Sequence, residues 1–205
     1  MNKKVLLFLA LLTIGYSKAQ ELYFVTGTNF TKYNFEAKNS SMTTKLQSGN
    51  GTTHEIGYAI PIRNKDFSYS FGVTLDEYNA LAGSTTNSYK WDTKYLGAQA
   101  ALHYDYKVSP FFSVSARAGI NLSSIIYGKQ SIDGEIFDLK NQEEFSGLFL
   151  RVFGKIQTLY KLNKFSALSL GYGYSHSAST SNSTNEKLAF DTNQILFGIH
   201  FTTNY

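Results

Sequence analysis

The last twelve residues read QILFGIHFTTNY, from Gln194 to Tyr205. Two sets alternate through this stretch: a mainly apolar set (Ile195, Phe197, Ile199, Phe201, Thr203 and Tyr205) and a mainly polar or small one (Gln194, Leu196, Gly198, His200, Thr202 and Asn204). Because successive side chains of a strand point to opposite faces, this alternation predicts a β-strand with one apolar face. The final aromatic residue is in phase with that face, whereas chain ends are usually poorly ordered. The stretch is therefore predicted to be part of a sheet.

The first twenty residues have the pattern of an export signal. Two lysines precede an apolar block at residues 5–14, and residues 17–19 (SKA) have the small-x-small form that a signal peptidase cleaves. A membrane-anchoring helix is the alternative, but a helix needs about 20 apolar residues to cross a bilayer. We therefore expect a signal peptide over residues 1–20, cleaved after Ala19 or Gln20.

The formal charge of +4 overstates the basicity of the remaining domain, residues 21–205. Three of the 19 lysines and arginines leave with the signal, and the others face 15 acidic residues. A near-neutral domain lacks the basic surface that nucleic acids require, so we expect no nucleic-acid partner. The sequence has no cysteine, which excludes disulfides and thiolate ligands. Gly-rich phosphate loops and EF-hand spacing are absent from it, and no cofactor is predicted.

Seven further segments alternate in the same way before the last strand. The predicted strands are residues 22–31, 54–62, 67–76, 96–107, 112–123, 148–160, 167–175 and 194–205. Short turns at 63–66, 108–110 and 163–164 alternate with long polar loops at 32–51, 77–94, 127–144 and 177–187. This order predicts an all-β fold of eight antiparallel strands in up-and-down order.

The aromatic residues indicate which face of the sheet meets lipid. In a soluble barrel the apolar face points inward and the charges point outward. In a membrane barrel the apolar face is outside, with aromatic girdles at both of its edges. Here the apolar faces carry Tyr or Phe near their ends, at Tyr69, Tyr104, Tyr106, Phe112, Tyr160, Tyr172, Tyr174, Phe201 and Tyr205. We therefore predict a closed transmembrane β-barrel.

These eight strands after a signal, with an aromatic residue closing the strand at residues 195–205, resemble the small eight-stranded outer-membrane β-barrels. The membrane domain of OmpA and OmpX typify that family. The resemblance covers residues 22–205 and is one of architecture, so it brings no catalytic residues. It implies an outer-membrane location, contact with outer-membrane lipid and insertion by the barrel assembly machinery. That machinery reads the last strand, which makes Phe201 and Tyr205 the expected assembly signal.

Charged residues on the polar faces are expected to point into the barrel. They are Glu55, Asp76, Asp105, Lys107, Arg117, Arg151 and Lys155. Charges out of water persist when they are paired, so we predict an ionic network that fills the lumen. A small-ligand or ion site is the alternative. The histidines, His54, His103, His176 and His200, lie on different strands without ligand spacing, and no metal site is predicted.

Eight strands enclose a space just wide enough for side chains, whereas aqueous channels appear at about 16 strands. We therefore predict a barrel that does not conduct. Small inward residues could leave gaps in the filling: Gly57, Ala59, Gly72, Gly97, Ala101, Gly119, Gly171 and Gly173.

Two functions follow from this architecture. The first is a structural or interaction protein that presents four polar external loops to an unidentified partner. The second is an enzyme similar to the lipid A deacylases, which carry a His, a Ser and a carboxylate on the barrel wall. Its candidate parts are His176, Ser177, Ser179 and Glu186. Ala178 stands where the nucleophilic serine of those enzymes would be, so we predict a barrel that is not an enzyme.

Overall fold

The computed structural model describes residues 20–37, 47–62, 66–83, 88–132, 134–142, 145, 147–180 and 186–203. The predicted signal peptide, apart from Gln20, and the predicted assembly residue Tyr205 lie outside the described residues. The described residues form ten strands: β1 (Gln20–Ala37), β2 (Gln47–Pro61), β3 (Phe67–Glu77), β4 (Ala80–Gly83), β5 (Ser88–Lys107), β6 (Phe112–Ile132), β7 (Glu135–Asp138), β8 (Leu148–Lys161), β9 (Ser166–Ser179) and β10 (Glu186–Thr203). The described part of the chain contains no helix that is long and apolar enough to span a membrane.

Eight long strands form a closed antiparallel ring. Its order is β1, β2, β3, β5, β6, β8, β9 and β10, and β10 pairs with β1 from Thr203 opposite Gln20 to Glu186 opposite Ala37. The short β4 continues β3 after an interruption at residues 78–79, because it pairs with the same two neighbours, β2 and β5. The short β7 pairs with the end of β6. The predicted eight-stranded, up-and-down barrel is therefore confirmed.

The strand faces alternate as the sequence predicts. Along β8 the side chains of Val152 and Ile156 are exposed, whereas those of Arg151 and Lys155 between them are buried in the lumen. Exposed apolar residues cover the outside of all eight long strands, which is the inverse of a water-soluble barrel. Such a surface is stable where it meets lipid, because lipid chains are as apolar as the side chains.

The described parts of the short connections lie together at one end of the ring. The carbonyl oxygens of Asp66, Phe111 and Phe165 in these turns each accept a backbone hydrogen bond from the next strand: from Asp105 at 2.8 Å, Lys161 at 2.9 Å and Thr202 at 2.8 Å, respectively. The first described residue, Gln20, is at the same end. Short turns mark the periplasmic side of such barrels, so the opposite end is external.

The predicted bounds of the four long loops are wrong, because the strands extend into each of them. β1 extends to Ala37, β5 begins at Ser88, β6 extends to Ile132 and β10 begins at Glu186. Among the side chains that the structure describes in these external segments, outward ones such as Lys32 and Lys90 are polar, and inward ones such as Tyr33 and Trp91 are large and apolar. The sheet therefore continues beyond the apolar belt into water, with its apolar face turned inward.

Candidate functional site in the barrel lumen

A carboxylate from one wall of the barrel binds two cations from the opposite wall. Glu55 on β2 contacts the Arg117 guanidinium on β6 at 2.5 Å and the Lys155 ammonium on β8 at 2.7 Å, one through each of its oxygens. In the ring β2 and β8 lie four strands apart, which is the full width of the lumen. All three side chains are almost completely buried. The two contacts of Glu55 therefore cross the barrel interior.

A second ion pair lies nearer the external end. Asp76 on β3 forms a 2.9 Å ion pair with Arg151 on β8 and accepts a 2.6 Å hydrogen bond from the Thr53 hydroxyl. Arg151 also donates to the Tyr78 hydroxyl. Because both Asp76 oxygens have a partner, the cost of burying the carboxylate is offset by two polar contacts.

Phe153 occupies the space between these ion pairs. Its ring centroid is 5.0 Å from the Lys155 ammonium, 5.7 Å from the Arg117 guanidinium and 5.9 Å from that of Arg151. A cation within about 6 Å of an aromatic ring centroid is attracted by the ring quadrupole when it lies over the face. Three cations face two carboxylates in this group, and the Phe153 ring adds a cation–π attraction for each of the three.

Below this group, Tyr23 connects the charges to the periplasmic end. Its hydroxyl accepts a 2.6 Å hydrogen bond from Arg117, and its ring stacks on the His200 imidazole at 5.8 Å between centroids. His200 in turn lies 2.6 Å from the Glu21 carboxylate and 2.9 Å from the Ser169 hydroxyl. His103 lies 2.7 Å from the Ser70 hydroxyl. Sequence parity places these residues inside but gives no signal for their contacts.

Asp105 and Lys107 lie outside this group. Both share the inward phase of β5, but Asp105 is half-buried and Lys107 is exposed at the periplasmic end. Among the described residues neither forms a salt bridge within 4.0 Å, so we restrict the lumen ion group to Glu55, Asp76, Arg117, Arg151 and Lys155.

Longer side chains occupy the space beside the inward glycines. A Cβ atom added at Gly57 would overlap the Tyr23 ring, and one at Gly97 would lie 2.6 Å from the Asn121 side-chain oxygen. A Cβ atom added at Gly171 would likewise overlap the Gln157 side chain. The small inward residues therefore accommodate neighbouring side chains at these positions.

An apolar cluster closes the external half of the lumen. The alternation of the sequence did not predict this cluster. It contains Tyr33, Tyr78, Ala80, Trp91, Tyr95, Ile125, Leu139, Phe145, Phe149, Leu188 and Phe190. Leu139 and Phe145 lie between β7 and β8 in the sequence, both are buried in the cluster, and Phe145 packs edge-on against Trp91 at 5.0 Å. We call these two residues the cap.

The wall site predicted for an enzyme is only partly assembled. His176 faces outward, and its Nδ1 lies 2.8 Å from the Asp191 carboxylate, which also accepts a 2.9 Å bond from the Tyr174 hydroxyl. Ser177 is buried in the lumen, and Ser179 has the same inward phase. Neither candidate serine, Ser177 or Ser179, therefore lies on the outward face of β9 that carries His176. The described residues contain no group of three potential metal ligands.

Solved structures share this fold. The outer membrane protein OprG from Pseudomonas aeruginosa gives a TM-score of 0.60 at 12% identity, over 92% of this chain and 97% of OprG. Neisserial surface protein A (NspA) gives a TM-score of 0.51 at 15% identity, over 88% of this chain and 96% of NspA. No family model and no curated protein matches the sequence.

The closed ring and the apolar outer belt define an eight-stranded transmembrane β-barrel, and these matches show that it has the fold of small outer-membrane β-barrels. The protein is therefore an integral protein of the outer membrane, as the sequence predicts.

Proposed function

We propose that the protein is a non-conducting barrel whose role is structural or interactive and lies on its external surface. The observation that carries this proposal is the pair of contacts from Glu55 to Arg117 and Lys155, which span the lumen. A pore of eight strands has little free width even when empty. Here ion-paired long side chains lie across that width, and the apolar cluster and its cap lie above them.

The external end offers a surface for a partner. Among the described strands, β7 pairs with β6 alone, so its second edge has unpaired backbone groups. Its residues Ile136 and Phe137 are 66% and 44% exposed, above the apolar belt. Exposed apolar side chains on a free strand edge are typical of sites that pair with another chain. This edge, rather than a set of loops, is the surface we assign to an unidentified external partner.

Planar-bilayer recording of the refolded protein tests the plugged lumen. We expect no stable conductance steps from the wild type or from Lys94→Ala, a control that removes an exposed external cation. Reproducible steps from the wild type would overturn the proposal. If such steps grew in Arg117→Ala, that residue would be a constriction in a working pore.

An outer-leaflet lipid-modifying enzyme is the second candidate, because His176 and Asp191 form a dyad on the outer wall. Acyl transfer through a serine also needs a nucleophilic hydroxyl within hydrogen-bond reach of the histidine. Ser177 and Ser179 do not supply it, because both have the inward phase. We therefore expect the mass profile of lipid A to be the same in cells that carry the wild type and His176→Ala. A loss of deacylated species in the variant would establish the enzyme.

A further inference from the structure

The ion group of the lumen has more positive than negative charges. The cations of Arg117, Arg151 and Lys155 face the carboxylates of Glu55 and Asp76, and all five side chains are almost completely buried. One positive charge is therefore left without a counterion among the described side chains of this group. A charge out of water is strongly unfavourable unless a partner compensates it. The surplus charge predicts a negatively charged ligand in the lumen.

Hydrogen-bonding atoms without a partner lie in the same part of the lumen. Among the described residues, a partner is missing for the Arg151 Nε, the Asn121 Oδ1, both side-chain amide atoms of Gln99, and the hydroxyls of Ser175 and Ser177. None of these five side chains is more than 5% exposed. Buried polar groups in native structures almost always have a partner, which is protein, water or a ligand. These atoms therefore indicate a bound polar species.

The strand register brings four of these side chains into one row. Gln99 on β5 is directly opposite Asn121 on β6. Arg151 on β8 lies between Asn121 on one side and Ser177 on β9 on the other. Ser175 is the next inward residue of β9. Because directly opposite side chains have Cβ atoms about 5 Å apart, these groups form one arc of adjoining polar side chains around Arg151.

The side chains of this row can donate hydrogen bonds. Arg151 uses Nη1 for both Asp76 and Tyr78, which leaves its Nε–H for a ligand. The Asn121 amide donates to the Thr74 hydroxyl at 3.0 Å, and in the reverse amide orientation that hydroxyl donates to Oδ1 and the Asn121 N–H groups are released. A water molecule would satisfy such donors but leave the surplus positive charge. An anion accepts the hydrogen bonds and also balances the charge.

We propose that the lumen binds one monovalent anion of the size of chloride, in contact with Arg151, Asn121 and Ser177. The surplus of one positive charge sets the charge of the ligand. Phe149 and Phe153, the inward neighbours of Arg151 along β8, are buried and border the row on its external and periplasmic sides. The site is therefore one inward level deep, which fits a monatomic ion. The apolar cluster and its cap lie above it, so the anion is enclosed when the barrel folds and is part of the plug.

Urea unfolding in lipid vesicles tests this site when chloride replaces gluconate at constant ionic strength. Gluconate is too large for one inward level. An anion that binds the folded state alone should lower the unfolding equilibrium constant by up to about tenfold for each tenfold rise in chloride concentration. Ser177→Ala removes a donor to the anion and should shift this dependence to at least about tenfold higher chloride. The matched control is Ser115→Ala, a buried serine three inward positions from Asn121 along β6, which should keep the wild-type dependence.

Asn121→Asp tests the charge balance. The substitution places a carboxylate next to Arg151 with almost no change in side-chain size, and the Thr74 hydroxyl can donate to it. The fixed carboxylate takes the place of the anion. We therefore expect this variant to be more stable than the wild type in gluconate and to have no chloride dependence. An Asn121→Asp variant with the wild-type dependence would contradict the charge argument.

Bromide locates the ion directly, because it scatters X-rays anomalously. Crystals of the wild type refolded in bromide should show one buried bromide in contact with Arg151 and Ser177, and crystals of Asn121→Asp should show none there. This measurement does not depend on the folding of Ser177→Ala. Each variant is checked for the heat-dependent gel shift of a closed barrel. A wild type indifferent to chloride, an equal shift in Ser115→Ala and Ser177→Ala, or no bromide beside Arg151 would each overturn the proposal.

Discussion

Replacing Glu55 by Gln tests the physical basis of the plugged lumen. The substitution keeps the size of the side chain but removes the charge that binds both Arg117 and Lys155. The carboxylate that remains, Asp76, is already paired with Arg151. Two buried cations would therefore be left without a counterion.

The expected loss of stability follows from this burial. Removing one partner of a buried ion pair typically costs about 3–5 kcal/mol, because the remaining charge stays out of water. We expect Glu55→Gln to lower the free energy of unfolding by that amount. The matched control is Glu77→Gln, which breaks the 2.8 Å contact to Lys94 at the external rim. Since the Lys94 side chain is 41% exposed, its loss should cost about 0.2–1 kcal/mol, the range of exposed pairs.

Urea unfolding of the folded protein in lipid vesicles measures both variants. The chain has a single tryptophan, and Trp91 is buried in the external apolar cluster, so its fluorescence reports unfolding directly. Combining Glu55→Gln with Lys155→Met removes one of the two uncompensated cations and should recover about 1–3 kcal/mol. A Glu55→Gln variant no less stable than Glu77→Gln would refute the reasoning, since it would mean that water or another group already neutralises the cations.

Two other predictions concern the ends of the barrel. Phe145→Ala should shift Trp91 emission to longer wavelength, because it removes the 5.0 Å edge-on contact. Phe137→Ala, at an exposed position, should leave the emission spectrum unchanged. Equal spectra for the wild type and both variants would show that the cap does not cover Trp91. Phe201→Ser, alone or with Tyr205→Ser, should lower the amount of heat-shiftable protein in the outer membrane, because Phe201 lies on the lipid face of the closing strand. Phe165→Ser, in a periplasmic turn, should leave that amount unchanged. Normal levels of the Phe201 variants would contradict the assembly signal.

Alternation in sequence was sufficient to predict the transmembrane part of the fold. Residues 67–76 have one apolar face and one polar face, and the structure places the two faces in lipid and lumen, respectively. The turn at Asn163 could also be predicted from the local sequence. Its side-chain oxygen accepts hydrogen bonds from the Phe165 and Ser166 backbone amides, which is the local geometry that favours asparagine in turns.

The external segments were misread because the meaning of the alternation reverses at the membrane surface. Inside the bilayer the outward side chains must be apolar, whereas above it the outward side chains meet water. Lys32 is outward and Tyr33 is inward, yet four repeats of the same alternation earlier the apolar Phe24 is outward. A stretch rich in Ser, Thr, Asn and Lys then resembles a loop, although its inward positions build the apolar cluster. A pattern that assigns apolar residues to the outer face along the whole strand therefore cannot predict this cluster or its cap.

The contacts of the lumen depend on ring closure, which the alternation of one strand does not contain. Parity places Glu55, Arg117 and Lys155 inside, but their partners are set by which strands face each other. In an up-and-down ring of eight, each strand faces the one four places further on. This rule matches Glu55 on the second strand of the ring with Lys155 on the sixth, and Tyr23 on the first with Arg117 on the fifth. It fails for two ion pairs whose strands lie three places apart, Asp76 with Arg151 and Glu55 with Arg117, because strand tilt brings residues from different heights to one level. Closure thus makes some lumen partners derivable from strand order, and the tilt of the strands determines the others.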